Sequence, residues 1–379
     1  MYRCACLFSI ILLLCALPGR TLASDTPYIL VDAGNGAILD AHKADDRWYP
    51  ASLTKLMTAY VTFRAIANGE MEDGSPVVIS KAARQQPPSR MGYKQGVQLR
   101  IDNALKIVIV KSANDVSLAL AEAVAGSVPE FVRRMNDEAR RLGLNNTRFA
   151  NSNGLHSPSQ FTSARDMAIL SIRLFEEFPQ YADMFSAVAI RTGQNTHYSY
   201  NLLLERFSGA NGMKTGFVCA SGYNMVASAR RNGRTLVAVV FGRDSQTDRA
   251  VAAAKLLDAG FRMTERSSGT VFNTPVGTSA KPRNMRPVLC TEAARKNRYD
   301  PGAGQAKLSS PYLSARKKST HILSVRTGGI DAAASESITI AALSGIPVPT
   351  KRPDQENTQP FPAIGNLRTG RIALPTPRP

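Results

Sequence analysis

The chain has 379 residues, 44% of them hydrophobic, with 47 Lys and Arg against 29 Asp and Glu, a formal net charge of +18. That apolar fraction excludes a disordered protein and is ample for one large core. The basic balance points to an anionic partner, but no basic–aromatic interleaving or nucleic-acid module accompanies it, so nucleic acid is excluded.

Residues 1–23 read as an export signal. Arg3 supplies the positive start, Leu7 to Leu17 an apolar stretch, and Thr21-Leu22-Ala23 small residues before a cut, so the mature chain begins near Ser24. Cys4, Cys6 and Cys15 leave with this segment. Cys219 and Cys290 remain, too few for a disulfide framework, though an oxidising compartment permits one bridge.

Tyr28 to Asp32 reads as a strand, and Asn35-Gly36 turns it into a second at Ala37 to Leu39. Pro50 opens a helix from Ser52 to about Ala67, ended by Asn68-Gly69. Ser52 and Lys55 lie three apart and share a face of that helix, one turn from each other. A serine hydroxyl needs a base to become a nucleophile, and a partly buried amine can serve. At a first helical turn the Ser52 N–H also lacks an intrahelical partner and can stabilise an oxyanion. Taken alone, Ser-x-x-Lys is a chance pattern in many proteins of this size.

Val77 to Ile79 is a short strand, and residues 85–96 are polar loop. Asp102 to Val110 forms a helix ending near Lys111-Ser112-Ala113-Asn114, where Asp115 caps the next. Pro129 to Leu142 is an amphipathic helix with Phe131, Val132, Met135 and Leu142 apolar among arginines. Asn145 to Pro158 is loop, and a helix beginning at Thr162 ends before Pro179. The period then changes to strands: Gly212 to Cys219, Asn224 to Ala229, and, after Asn232-Gly233, Leu236 to Phe241. A helix from Ala250 to Leu257 is closed by Gly260. No βαβ repeat is visible, so the order of elements predicts an α+β domain over 24–263, an antiparallel sheet flanked by helices with a helical lobe. Residues 264–379 read as a basic, proline-containing tail, mostly flexible: from Val271 onward there are 16 Lys and Arg against 6 Asp and Glu, and 13 of the 22 prolines. A diverged β-domain with strands near Ile322 to Val325 and Ile338 to Ile340 is the competing reading of that tail.

Three motifs stand in order: Ser52-x-x-Lys55, Ser112-x-Asn114 and Lys214-Thr215-Gly216. Each has a plain structural reading, a cap for the second and an edge strand for the third. Together, on a helix, a loop and a strand, they are far more specific. With them the chain resembles the penicilloyl-serine transferases, and among these the low-molecular-mass penicillin-binding proteins that act as D-alanyl-D-alanine carboxypeptidases. The resemblance runs from about Tyr28 to Phe261. It includes Lys111-Ser112-Ala113-Asn114-Asp115, Phe149-Ala150-Asn151-Ser152-Asn153-Gly154-Leu155, Gly212-Met213-Lys214-Thr215-Gly216-Phe217 and Leu256-Leu257-x-x-Gly260-Phe261.

The resemblance implies a β-lactamase/transpeptidase-like fold with the site between two lobes. It implies that Ser52 attacks the penultimate D-alanine carbonyl of a peptidoglycan stem peptide, and that β-lactams acylate the same serine. Lys55 is then the base, Ser112 relays a proton, and Asn114 holds the substrate amide and Lys55. Lys214, Thr215 and Arg249 take the substrate carboxylate, and Gly216 leaves room beside the strand. The N–H groups of Ser52 and Phe217 form the oxyanion hole. No metal or cofactor is implied. Two departures stand out: Phe217 where many relatives have histidine, and Ala113 where many have glycine. Arg249 also has a plain reading, as a solvated helix-end arginine paired with Asp248 or Asp244. The alternatives are a D,D-endopeptidase acting on cross-links, or a catalytically weak wall-binding protein. The expected location is periplasmic or otherwise extracytoplasmic, with weak electrostatic contact to anionic membrane or wall.

Overall fold

The computed structural model describes residues 25–263, 269–277, 281–297 and 310–328. The chain forms β1 (Tyr28–Asp32), β2 (Ile38–His42), a tight helical turn (Ala51–Leu53) and α1 (Thr54–Ala67). There follow β3 (Pro76–Val78), α2 (Lys81–Arg84), β4 (Gln98–Arg100), α3 (Ile101–Lys106), a π-helical turn (Ile107–Lys111), α4 (Asn114–Ala125), α5 (Val128–Arg141), α6 (Ala164–Glu177) and α7 (Ala182–Ser186). Strands β5 (Ala189–Thr192), β6 (Asn195–Tyr198), β7 (Ala210–Val218), β8 (Gly222–Arg231) and β9 (Arg234–Arg243) precede α8 (Gln246–Arg262). Two short helices, α9 (Arg286–Leu289) and α10 (Glu292–Asn297), and β10 (Ile322–Val325) complete the described elements.

The main sheet has the order β2-β1-β9-β8-β7, and every neighbouring pair is antiparallel. Its strands are apolar on both faces because both faces are covered. Ile29, Val31, Val226, Val237, Val239 and Phe241 join the core shared with the helical lobe. The alternating residues Leu30, Met225, Ala227, Leu236, Ala238 and Val240 pack with Ala250, Ala253, Ala254 and Leu257 of α8. Period-two alternation therefore sorts one apolar run into two cores. Helix α1 is buried on almost every side, from Thr54 to Phe63, so it runs through the helical lobe as its axis. The α+β architecture is as the sequence indicates.

The sequence reading stops the domain at 263, and the structure corrects this. Val271 is buried and donates its N–H to Gly36 O. Met285 and Leu289 are buried, Met285 N–H bonds Ala220 O, and Cys290 is joined to Cys219. Leu313 is buried, the Arg316 guanidinium meets Glu205 at 2.7 Å, and β10 pairs in parallel with β5. These segments are belts laid over a finished domain. Each contributes single apolar plugs to preformed sockets, so no helical or strand periodicity betrays them. The strand foreseen at Ile322 to Val325 exists, but it joins β5 and β6 in a three-stranded sheet of the domain itself. Residues 1–23, the Ile338 to Ile340 segment and the end of the tail lie outside the described residues.

Cys219 and Cys290 are 71 positions apart. Closing a loop of that length stabilises the folded chain by roughly 4 kcal/mol in the chain-entropy model, at the upper end of the typical range of about 2–4 kcal/mol. Cys290→Ser is expected to lower the unfolding temperature accordingly. Thermal unfolding with and without reductant checks it: reduction should destabilise the native chain and leave the variant unmoved.

Candidate active site

The site is built from three backbone features and one side-chain tie. Ala51 takes a left-handed φ of 48°, which turns the chain sharply after Pro50 and starts the tight turn carrying Ser52. Asn224 of β8, fully buried, donates its side-chain amide to Tyr49 O at 2.9 Å and to Pro50 O at 3.3 Å. The turn is thereby pinned to the sheet. Gly154, at φ +83°, lies so close that an added Cβ would fall 2.0 Å from Ala51 O. On the other side, a Cβ at Gly216 would sit 2.9 Å from Ser52 N. Both positions therefore need glycine, one for conformation and contact, the other for contact alone. The Ser52 turn packs along β7, an edge strand of the sheet, so the backbone groups on its free edge border the same cleft.

Lys55 follows one turn later and is completely buried. Its Nζ donates to Asn114 Oδ1 at 2.8 Å and to Asn153 O at 2.5 Å, and lies 3.1 Å from Ser52 Oγ. Burial pushes its pKa well below the ordinary lysine value, the charge of Lys214 pushes the same way, and Asp115 partly opposes them. A neutral amine has two N–H bonds and one lone pair. As a neutral amine Lys55 would give its two N–H bonds to the two carbonyl oxygens and keep its lone pair for the Ser52 hydroxyl, whereas as an ammonium it donates to Ser52 Oγ as well. Ser52 itself is only partly buried, as a nucleophile must be.

Ser112 ends the π-helical turn with φ 63°, its N–H bonded to Ile107 O at 3.1 Å. Such a turn re-aims the residue that follows it, and left-handed serine is rare outside functional sites. The π turn packs against α1 and β7. Asn114 opens α4 and anchors the loop above it, its N–H on Ser89 O and its Nδ2 on Pro87 O. Asp115 accepts from the N–H groups of Met91 and Gly92, which fastens the same loop. Ala113, with φ −70°, needs no glycine, so that departure is accommodated.

Lys214 is buried in β7, its Nζ donating to Thr215 O at 3.2 Å. Burial first, and the Arg249 charge second, lower its pKa to about 7. Arg249, in the first turn of α8, is 3% exposed. It donates to Tyr200 O at 3.0 Å, and its guanidinium lies 5.6 Å from the Tyr223 ring centroid. Its burial departs from the solvated helix-end reading, and Asp248 is engaged by Arg243 at 2.7 and 3.0 Å. The Phe217 ring lies 4.3 Å from Tyr223. Arg249 thus acts on Lys214 and Lys214 on Lys55, a file of like charges that an anionic ligand would relieve.

The structure brings Ser52, Lys55 and Asn114 together directly, and places Lys214, Thr215, Gly216 and Phe217 on the strand beside them. Sequence reasoning missed Asn153 and Asn224. Asn153 lay in plain view within an Asn/Gly-rich stretch read as loop, whereas an asparagine in an apolar strand is a signal of a buried polar tie.

A partly exposed serine with a buried lysine one turn on, facing an edge strand of an antiparallel sheet, sits here in a fold of the transpeptidase and β-lactamase kind. A family model described as D-alanyl-D-alanine carboxypeptidase matches residues 18–245, and the chain belongs to that family. It is 39% identical over 239 residues to D-alanyl-D-alanine carboxypeptidase DacA of Haemophilus influenzae, covering 62% of this chain and 61% of the relative. The chain thus spans about three fifths of the length of the curated relatives it matches. Among solved structures, penicillin binding protein 5 from Haemophilus influenzae superposes with a TM-score of 0.60 at 37% identity, covering 63% of this chain and 71% of the other. Penicillin-binding protein D2 from Listeria monocytogenes, in its cefotaxime-bound form, gives 0.58 at 26% identity, with coverage of 63% and 98%.

The buried Lys214 opposes folding. Below pH 10.5 the unfolded chain takes up a proton that the folded chain accepts only below about 7. The penalty grows as pH falls through that window and levels off beneath it. Lys214→Met should therefore raise stability at neutral pH, on the order of 2–4 kcal/mol. The gain should shrink as pH rises toward 10.5, measured by denaturant unfolding across the range.

Proposed function

We propose that the chain is a serine D-alanyl-D-alanine carboxypeptidase that removes the terminal D-alanine of peptidoglycan stem peptides, and that β-lactams acylate the same serine. The observation that carries the reading is the Lys55 amine, fully buried and held 3.1 Å from Ser52 Oγ with two carbonyls occupying its N–H bonds.

In this mechanism the Lys55 lone pair takes the Ser52 proton as Oγ bonds to the carbonyl carbon of the penultimate D-alanine. The oxyanion is met by the N–H groups of Ser52 and Phe217. Lys55 returns the proton, through the Ser112 hydroxyl, to the departing nitrogen, and the C–N bond breaks. D-Alanine leaves, and water, deprotonated by the same relay, hydrolyses the Ser52 ester. Thr215 and Lys214, backed by Arg249, hold the substrate's terminal carboxylate. Asn114 holds Lys55 and the substrate amide, and Gly216 lets the peptide lie against the edge of β7. In a β-lactam the ring amide takes the place of the scissile bond.

A D,D-endopeptidase would use the same nucleophile and base. The cationic file of Lys214 and Arg249 favours the free carboxylate of a terminal D-alanine. A catalytically weak wall binder would have no use for a fully buried lysine, which costs stability without a catalytic return. The Cys219–Cys290 bridge supports an oxidising, extracytoplasmic location for the domain. No described helix is long and apolar enough to cross a membrane. The exposed Lys281, Arg283, Arg286, Lys317 and Lys318 support weak, salt-sensitive contact with anionic lipid or wall polymer.

Ser52→Ala should abolish both D-alanine release and covalent capture of penicillin with the fold intact. Intact-mass analysis after incubation with benzylpenicillin checks it, and a stoichiometric adduct on the variant would overturn the assignment. Lys55→Ala should slow acylation by about 100-fold or more. Arg249→Ala should reduce kcat/KM about 10-fold or more on peptides with a free C-terminal carboxylate. Its effect on a thioester lacking that carboxylate should be small, and equal losses on both would argue for a purely structural arginine.

A further inference from the structure

The belt segment of residues 281–290 reaches the end of the cleft that the catalytic groups leave open. A substrate with its carboxylate at Thr215 and its scissile carbonyl at Ser52 runs antiparallel to β7. Moving upstream along it, each residue advances about 3.3 Å, so the residue preceding the two D-alanines lies beside Phe217 and Val218. Immediately beyond stands the β7–β8 turn, closed by Ser221 N–H on Val218 O and braced by the Trp48 indole N–H on Ser221 O.

The belt is fastened to this turn at three points. Met285 N–H bonds Ala220 O at 2.9 Å, Leu289 lies against Gly222, and Cys290 is bonded to Cys219. Helix α9, one turn long, is held between these anchors with Met285 and Leu289 buried and Arg286 exposed. Burial, and after it the Arg286 charge, lower the pKa of the His156 imidazole, so Arg286 stands within electrostatic reach of that ring. His156 packs edge-on to Tyr49, ring centroids 4.8 Å apart, three residues before the nucleophile. Arg286 therefore borders the upstream mouth of the cleft, between the β7–β8 turn and the His156 loop. The nearest belt charges, Lys281 and Arg283, are also cationic and exposed.

We propose that Arg286 is a specificity-determining residue, pairing with a carboxylate on the side chain of the stem-peptide residue that precedes the two D-alanines, and that the Cys219–Cys290 bridge positions it. The proposal rests on the carboxypeptidase reading above. It adds that the substrate is an anionic donor peptide and that its selection is made by a segment outside the catalytic motifs.

The test uses two peptides ending in X-D-Ala-D-Ala, where X is lysine carrying an Nε-succinyl group, which ends in a carboxylate, or an Nε-acetyl group, which is neutral. The native chain should prefer the succinyl peptide by about fivefold in kcat/KM, the range of an exposed ion pair, and less at high salt. Arg286→Gln should erase the preference by slowing only the succinyl peptide, and Arg286→Glu should invert it. Acylation by benzylpenicillin should stay within about twofold of native in both variants. Cys290→Ser should weaken the preference while leaving the acetyl peptide's rate unchanged. An unchanged succinyl-to-acetyl ratio in Arg286→Gln, or an equal loss on both peptides, would overturn the proposal. Failure of the native chain to release D-alanine from either peptide would instead overturn the carboxypeptidase reading itself.

Discussion

The interaction on which the site depends is the burial of an amine where an ammonium ion would be costly. Lys55 sits inside the helical lobe with no exposed surface, and Lys214 stands near it with a similarly depressed pKa. Neither burial is favourable by itself, because desolvation of a lysine charge opposes folding. The apolar axis of α1 and the two cores of the sheet offset that cost. What results is an amine whose proton is held less tightly than in an ordinary lysine, 3.1 Å from a hydroxyl.

Positioning is done mainly by backbone. Ser52 and Ser112 each follow or occupy a left-handed residue, Ala51 and Ser112, and each is held by a neighbour that strain alone would not secure. For Ser52 the restraints are Asn224 from the sheet and the close approach of Gly154 and Gly216. For Ser112 the restraint is the π turn packed against α1 and β7. Locally unfavourable dihedral angles persist because the surroundings over-determine them. The loop over α4 is tied down by Asn114 and Asp115, so the first residues of that helix both hold Lys55 and fasten the loop.

Beyond α8 the described residues build no second core. They return to the surface of the domain, among other places at Gly36, at Ala220 and at Arg206, and add a parallel strand beside β5. A belt of this kind stabilises through scattered plugs, a disulfide and a few backbone bonds. It also brings cationic side chains to the rim of the cleft, where composition alone indicated only a basic tail.

The sequence by itself determined the strands β1 and β7 to β9, the long helices and the three motifs on their elements, because these are recorded in short-range patterns; the short β4, α7, β5 and β6 were not legible in it. Alternation marks β7 to β9, and a three-residue spacing puts Ser52 and Lys55 on one helical face. It could not determine what surrounds Lys55. Asn114 and Asn153 stand 59 and 98 positions away, and the protonation state follows from their convergence with burial. The same holds for the role of Asn224, 174 positions from Pro50, and for the belt, whose apolar residues have no periodicity. Tertiary structure decided these features because they are contacts between distant segments, and one-dimensional pattern carries no information on which distant segments meet.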